Sequence, residues 1–163
     1  MTRWDDLGGA PRGADYAQRW DALAASGADV AMLDHARAVA PDLPWVLADL
    51  ASGDVPAGPF DLVVAAGNVM ILLAPGTEAG VIAGLARRTR VLVAGFGLAA
   101  SASPLAEAPF DLARYDAWCA DAGLALRDRW STWSRDPWEP GGAYAVSVHV
   151  TAGVGLPLGR EPL

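Results

Sequence analysis

Asp49 is the first residue whose place in the chain suggests chemistry. It ends the run Trp45-Val46-Leu47-Ala48, which reads as a buried strand. A carboxylate at the C-terminal end of a strand stands where open α/β sheets bind their ligands. Asp61, at the start of the run 62–66, is a second candidate base, although a carboxylate at a strand's beginning is commonly solvated. Gly95-Phe96-Gly97-Leu98-Ala99-Ala100 matches the G-x-G-x-x-A dinucleotide fingerprint directly after a strand. The fingerprint must also open a helix. Here Ser101, Ser103, Pro104 and Pro109 follow, so the stretch reads as a glycine-rich exit from the strand. Trp130, Trp133 and Trp138 with Tyr144 can stack a planar ligand or simply cover a sheet. Asp111, Asp116 and Asp121 recur at intervals of five and do not share a helix face as a metal site needs. His35, on a helical stretch, reads as a solvated or core imidazole.

The elements that must position these residues centre on 60–98. Leu62-Val63-Val64-Ala65-Ala66 and Val91-Leu92-Val93-Ala94 are apolar without alternation, each ending at a glycine. Strands buried on both faces of a parallel sheet read this way. Between them, residues 76–88 carry Val81, Ile82 and Leu85 at helical spacing, so the unit is a strand–helix–strand crossover. Upstream, helices are predicted over 14–26, with Tyr16, Trp20 and Leu23 on one face, and over 31–40, stopped before Pro41. A strand is predicted near 45–49. Downstream, residues 99–109 read as a loop. A helix is predicted over 111–122, with Leu112, Tyr115, Trp118 and Cys119 on one face and Gly123 as its cap. Strands near 125–133 and 143–150 close the sheet as an antiparallel pair. In the second, Ala145, Ser147 and His149 alternate with Tyr144, Val146, Val148 and Val150.

Length and composition set the bounds. At 163 residues the chain suits a single domain, taken as 1–152, with 153–163 a flexible glycine- and proline-rich tail. Net charge is −7 and no basic patch stands out, which argues against nucleic acid as a partner. Cys119 is alone, so neither a disulfide framework nor a thiolate metal cluster is expected. No apolar run approaches the roughly 20 residues of a membrane helix, and the polar start is not a signal peptide. A cytoplasmic protein without a membrane partner is the expectation.

From Met32 onward the order of elements resembles the class I S-adenosylmethionine (SAM)-dependent methyltransferases. The residues that carry it are MLDHARAVAPDLPWVLADLA, FDLVVAAGNVMILL, the helix to Arg88, RVLVAGFGL and AYAVSVHV. The resemblance implies a Rossmann-like α/β sheet, mostly parallel with a C-terminal antiparallel hairpin. It implies SAM as cofactor and a small-molecule methyl acceptor. Ala48-Asp49-Leu50 resembles the motif after the family's third strand, which puts Asp49 on the adenine amino group and the amide of Leu50 on a ring nitrogen. Gly67 and Asn68 would border the methionine end and the site of methyl transfer. Tyr16 would lie over the cofactor from the N-terminal helix. The resemblance points to no catalytic residue.

One departure bears on all of this. The family opens with a strand, a glycine-rich turn, a helix and a second strand ending in an acid. Only a few residues separate Ala28 from Met32, while a βαβ unit takes roughly 30 or more. The chain reads as internally truncated, without the glycines that approach the cofactor or the acid that binds its ribose. The missing strands would stand between 45–49 and 62–66. Weak or lost SAM binding is expected, with self-association through the exposed sheet edge. The alternative to an enzyme is a non-catalytic, self-associating remnant of the fold.

Overall fold

A computed structural model of the chain describes residues 28–53, 55–98 and 109–152. In chain order these form α1 (Ala28–Val39), β1 (Val63–Ala65), a 3-10 turn (Val69–Ile71), α2 (Glu78–Ala86), β2 (Val91–Gly97), α3 (Leu112–Asp121), β3 (Leu124–Trp130) and β4 (Tyr144–Thr151). The strands make one sheet in the order β1-β2-β4-β3. β1 and β2 are parallel. β4 runs antiparallel to both of its neighbours.

The crossover predicted around 60–98 is present. β2 lies inside the sheet between β1 and β4, so it needs apolar side chains, and Leu92, Ala94 and Phe96 are fully buried. They point to the face on which α2 supplies Val81, Ile82 and Leu85 and α3 supplies Tyr115 and Cys119. Phe96 meets the ring of Tyr115 edge-on at 5.0 Å and that of Phe110 at 5.5 Å. Such pairs contribute about 0.5–1.5 kcal/mol each beyond the area they bury. α3 begins where Asp111 accepts a hydrogen bond from the Arg114 amide at 2.8 Å, an N-cap that satisfies one of the helix's free amides. It ends at Gly123, whose φ of 81° suits a residue without Cβ.

The strand predicted near 45–49 does not form. Residues 44–49 carry no regular structure, and Val46 and Leu47 are more than half exposed. A strand is stable only when a neighbour pairs its amides and carbonyls, and among the described residues no strand precedes β1. Local contacts take part of that role instead. The Trp45 amide donates to Leu43 O at 3.0 Å and its indole Nε1 to Ala40 O at 2.8 Å. Among the described residues the sheet therefore has one parallel pairing, without the third parallel strand that the sequence predicts.

β1 is left as an edge. It is shorter than the run 62–66 suggests, although Phe60 makes an isolated parallel bridge to Thr89. Among the described residues its far side has no partner strand, and Leu62 and Val64 are about half exposed, at 51% and 50%. The predicted helix over 14–26, the loop over 99–108 and the tail 153–163 lie outside the described residues. No described helix is long and apolar enough to cross a membrane.

Candidate functional site

The carboxyl ends of β1 and β2 meet at Asn68. Gly67 and Asn68 both have φ of 68°, which glycine adopts freely and asparagine more readily than most residues. The two left-handed residues turn the chain out of the sheet. Asn68 nevertheless keeps its link to β2. Its amide donates to Gly95 O at 3.3 Å, and its Oδ1 accepts from the Gly97 amide at 3.0 Å. The side-chain carbonyl thus takes the part of the next backbone carbonyl in the ladder. Its Nδ2 has no protein partner among the described residues. Gly67 is exposed, and a Cβ placed on it would meet nothing within 4 Å. An open backbone and an oriented amide donor therefore stand side by side at the edge where α/β sheets bind ligands.

Tyr144 and Trp133 extend this edge. β4 begins at Tyr144, in register with Gly97, and the Leu98 amide donates to Ala143 O at 2.8 Å. The Trp133 indole lies against Gly95: a Cβ there would fall 2.5 Å from Trp133 Cζ2 and 2.7 Å from the Tyr144 hydroxyl. Trp133 Nε1 donates to Tyr144 Oη at 3.2 Å. Of the aromatic residues noted in the sequence, Trp133 and Tyr144 come together here. Trp130 lies under the Arg135 guanidinium, and Trp138 under that of Arg129.

Asp49 and Leu50 are placed elsewhere. Leu50 and Ala48 line an apolar cleft of 330 Å³ with Val46, Phe60, Val63, Leu85 and Arg88, beside the beginnings of β1 and β2. Arg88 ties this region down, donating to Gly53 O at 3.0 Å, Pro56 O at 3.2 Å and Gly84 O at 2.8 Å. Asp49 is exposed and closes a small turn through Oδ1, which accepts from the Ala51 amide at 2.8 Å. The structure brings Gly67 and Asn68 together and sets Asp49 and Leu50 at the opposite end of the strands. Tyr16 lies outside the described residues. Asp61 and His35 are both exposed. Gly95 and Gly97 lie within β2 rather than in a turn that opens a helix, so the dinucleotide fingerprint has no structural counterpart.

A second polar group was missed in the sequence. Ser147 and His149, which alternate with apolar residues along β4, are fully buried on the face covered by α3. His149 Nε2 sits 3.1 Å from Asp116 Oδ1. The same oxygen pairs with Arg129 Nη2, and Arg129 Nε donates to Ser147 Oγ at 3.0 Å. Burial holds the His149 pKa below its ordinary value, against the opposing pull of Asp116. Burial also pushes the Cys119 thiol up to about 12 and Tyr115 well above the usual phenol range. A thiol so protonated at neutral pH is not a nucleophile. This cluster holds α3 to β3 and β4, and it lies on β4 away from the carboxyl edge. Two five-residue steps in the sequence concealed it, because Asp116 works with residues on other elements rather than with Asp111 or Asp121.

No family model matches the chain, and no curated protein matches it. Solved structures do. A TehB-like SAM-dependent methyltransferase from Corynebacterium glutamicum ATCC 13032 Kitasato aligns over 84% of this chain and 96% of its own, at 23% identity and a TM-score of 0.65. The CcbJ methyltransferase from Streptomyces caelestis aligns over 74% of this chain and 75% of its own, at 18% identity and a TM-score of 0.63. The fold is therefore class I methyltransferase-like, and its Rossmann-like sheet is incomplete among the described residues.

Proposed function

We propose that this chain is a SAM-dependent methyltransferase that acts on a small molecule, with its transfer site at the carboxyl ends of β1 and β2. The observation that carries this reading is Asn68, held to Gly97 by its Oδ1 at 3.0 Å, with no partner for Nδ2 among the described residues. The likeness of the fold to two methyltransferases supports it.

The residues present suit the methionine end of SAM. The backbone at Gly67 can be approached closely because nothing lies where a Cβ would stand. Asn68 Nδ2 is a donor suited to a carboxylate. Resemblance assigns Tyr16, which lies outside the described residues, to this end. The chemistry that SAM supplies when bound is a methyl group on a positively charged sulfur, open to attack by a lone pair. The chain's part is to hold that group and the acceptor in line, since proximity and orientation carry much of such a rate. The adenosine end is less well provided for. Among the described residues no glycine-rich turn precedes β1 and no acid stands in place for the ribose. Resemblance assigns Asp49 and Leu50 to the adenine, but they stand at the opposite end of the strands from Gly67 and Asn68, so this proposal places no described residue on the adenine. SAM binding should accordingly be weak.

A ligand stabilises the state that binds it. Millimolar SAM should raise the melting temperature of the wild type and raise it less in Asn68→Ala. No shift at any SAM concentration would reject the proposal.

A second reading has its own observation. The open edge of β1, with Leu62 and Val64 half exposed, favours a self-associating, non-catalytic form of the fold, paired edge to edge as a homodimer. That form would associate without any response to SAM.

A further inference from the structure

We propose that Trp133 and Tyr144 form the wall that receives the methyl acceptor, and that this acceptor is a planar aromatic compound carrying an oxygen that accepts a hydrogen bond. The proposal rests on the reading of the carboxyl edge as the transfer site and gives that site a substrate class.

Position is the first argument. Gly97 is the shared neighbour: its amide donates to Asn68 Oδ1, and it stands in register with Tyr144. Tyr144 and Asn68, the residue assigned to the cofactor's methionine end, therefore flank β2 from either side. An acceptor must occupy that neighbourhood if its lone pair is to reach the methyl group.

Rigidity is the second. Trp133 sits in the connection between β3 and β4, and that connection is tightly bonded. Trp130 and Pro137 form an antiparallel bridge. The Ser131 amide donates to Asp136 O at 2.9 Å, and Thr132 Oγ1 donates to Asp136 Oδ2 at 2.6 Å. Arg135, at a φ of 67°, completes the turn. The indole is laid on β2 at Gly95, where any other residue would push it off. A tryptophan fixed this firmly is still 47% exposed. The indole meets the sheet at Gly95 while much of it remains exposed.

The remaining hydrogen-bonding capacity defines the ligand. The Trp133 N–H is already given to Tyr144 Oη, so the indole offers its π face alone. A planar ring stacks on such a face. The Tyr144 hydroxyl has accepted that bond and keeps its own proton to donate, which calls for a lone pair on the ligand. An ammonium ion would also favour the indole face, but it has no lone pair to accept the phenol proton.

The test uses 2-naphthol as probe, cyclohexanol as its saturated counterpart and tetramethylammonium as the cation, each titrated by ligand-observed NMR against the full chain. SAM is titrated by calorimetry in parallel. 2-Naphthol should bind and the other two should not. Trp133→Ala should weaken 2-naphthol about tenfold or more through the lost stacking surface. Tyr144→Phe keeps the ring and should weaken it about two- to tenfold. Both variants should keep the wild-type response to SAM. Equal 2-naphthol binding by wild type and Trp133→Ala would overturn the proposal. So would no binding of 2-naphthol, or a preference for tetramethylammonium or cyclohexanol. Loss of naphthol binding in the variants of a protein that never binds SAM would leave the wall standing and defeat the transfer reading instead.

Discussion

Asn68 Oδ1 accepts a hydrogen bond from the Gly97 amide at 3.0 Å, so a side chain just beyond β1 completes the ladder to β2. This bond fixes the turn at Gly67 and orients the Asn68 amide outward. Two variants separate its backbone role from its side-chain role. Asn68→Gly keeps the left-handed conformation and loses the bond, at a cost of about 0.5–1.5 kcal/mol. Asn68→Ala loses the bond and also lacks the short polar side chain that eases asparagine into a φ of 68°, adding about 1 kcal/mol. Chemical denaturation should rank wild type above Asn68→Gly and Asn68→Ala lowest. A more stable alanine variant would mean that the left-handed turn is not a constraint.

His149 makes the fold sensitive to acid. An unfolded histidine titrates near 6.5, while burial holds the folded one lower. Above pH 6.5 both states are neutral and the group has no effect. As pH falls below about 6.5 toward the lowered value, the unfolded chain takes up the proton first, and stability declines. Asp116→Asn leaves the Arg129 guanidinium without its carboxylate and should cost about 1.5–3 kcal/mol at neutral pH. His149→Gln should flatten the decline between pH 6.5 and 5 in a series of denaturation curves. A slope unchanged in that variant would shift the acid response to another group.

The open side of β1 should draw copies of the chain together. An unpaired strand flanked by exposed Leu62 and Val64 is a template for pairing, and a lysine on such an edge blunts it. Light scattering over a range of concentrations should show a rising mass for wild type and a constant one for Val64→Lys. A wild type of constant monomeric mass would remove the edge-paired homodimer.

Asp49 separates the geometry from the resemblance. It lies at the opposite end of the strands from Asn68, so Asp49→Ala should leave SAM affinity unchanged within about twofold in a titration. A charge-assisted hydrogen bond to the adenine amino group is worth about 1.5–3 kcal/mol, so a loss of about tenfold or more would return Asp49 to the adenine.

Strong local signals survived the passage from sequence to structure. The crossover through β1, α2 and β2 was legible because its strands are continuous apolar runs and its helix keeps one apolar face. α3 was legible from Asp111 to Gly123, where both caps are written into the residue types. Trp45-Val46-Leu47-Ala48 misled because its composition describes a strand with neighbours, and pairing is a property of the sheet rather than of the segment. The Asp116, Arg129 and His149 cluster was hidden for a related reason. Its members lie on three elements, and His149 looks in sequence like the polar side of an exposed strand. At the candidate site, Gly-Asn after a strand was a readable signal. The approach of Trp133 to Gly95 was not, because it depends on how the β3–β4 connection folds back over the sheet.

The central claim is that the carboxyl edge of β1 and β2 binds SAM through Asn68, and calorimetric titration of SAM into the wild type and Asn68→Ala tests it most directly. The account predicts saturable binding to the wild type with a dissociation constant of roughly 0.1–1 mM, about 4–5.5 kcal/mol. It predicts that Asn68→Ala weakens that binding at least about fivefold, the loss of roughly 1 kcal/mol. No heat of binding to the wild type, or equal affinity in the two proteins, would contradict it.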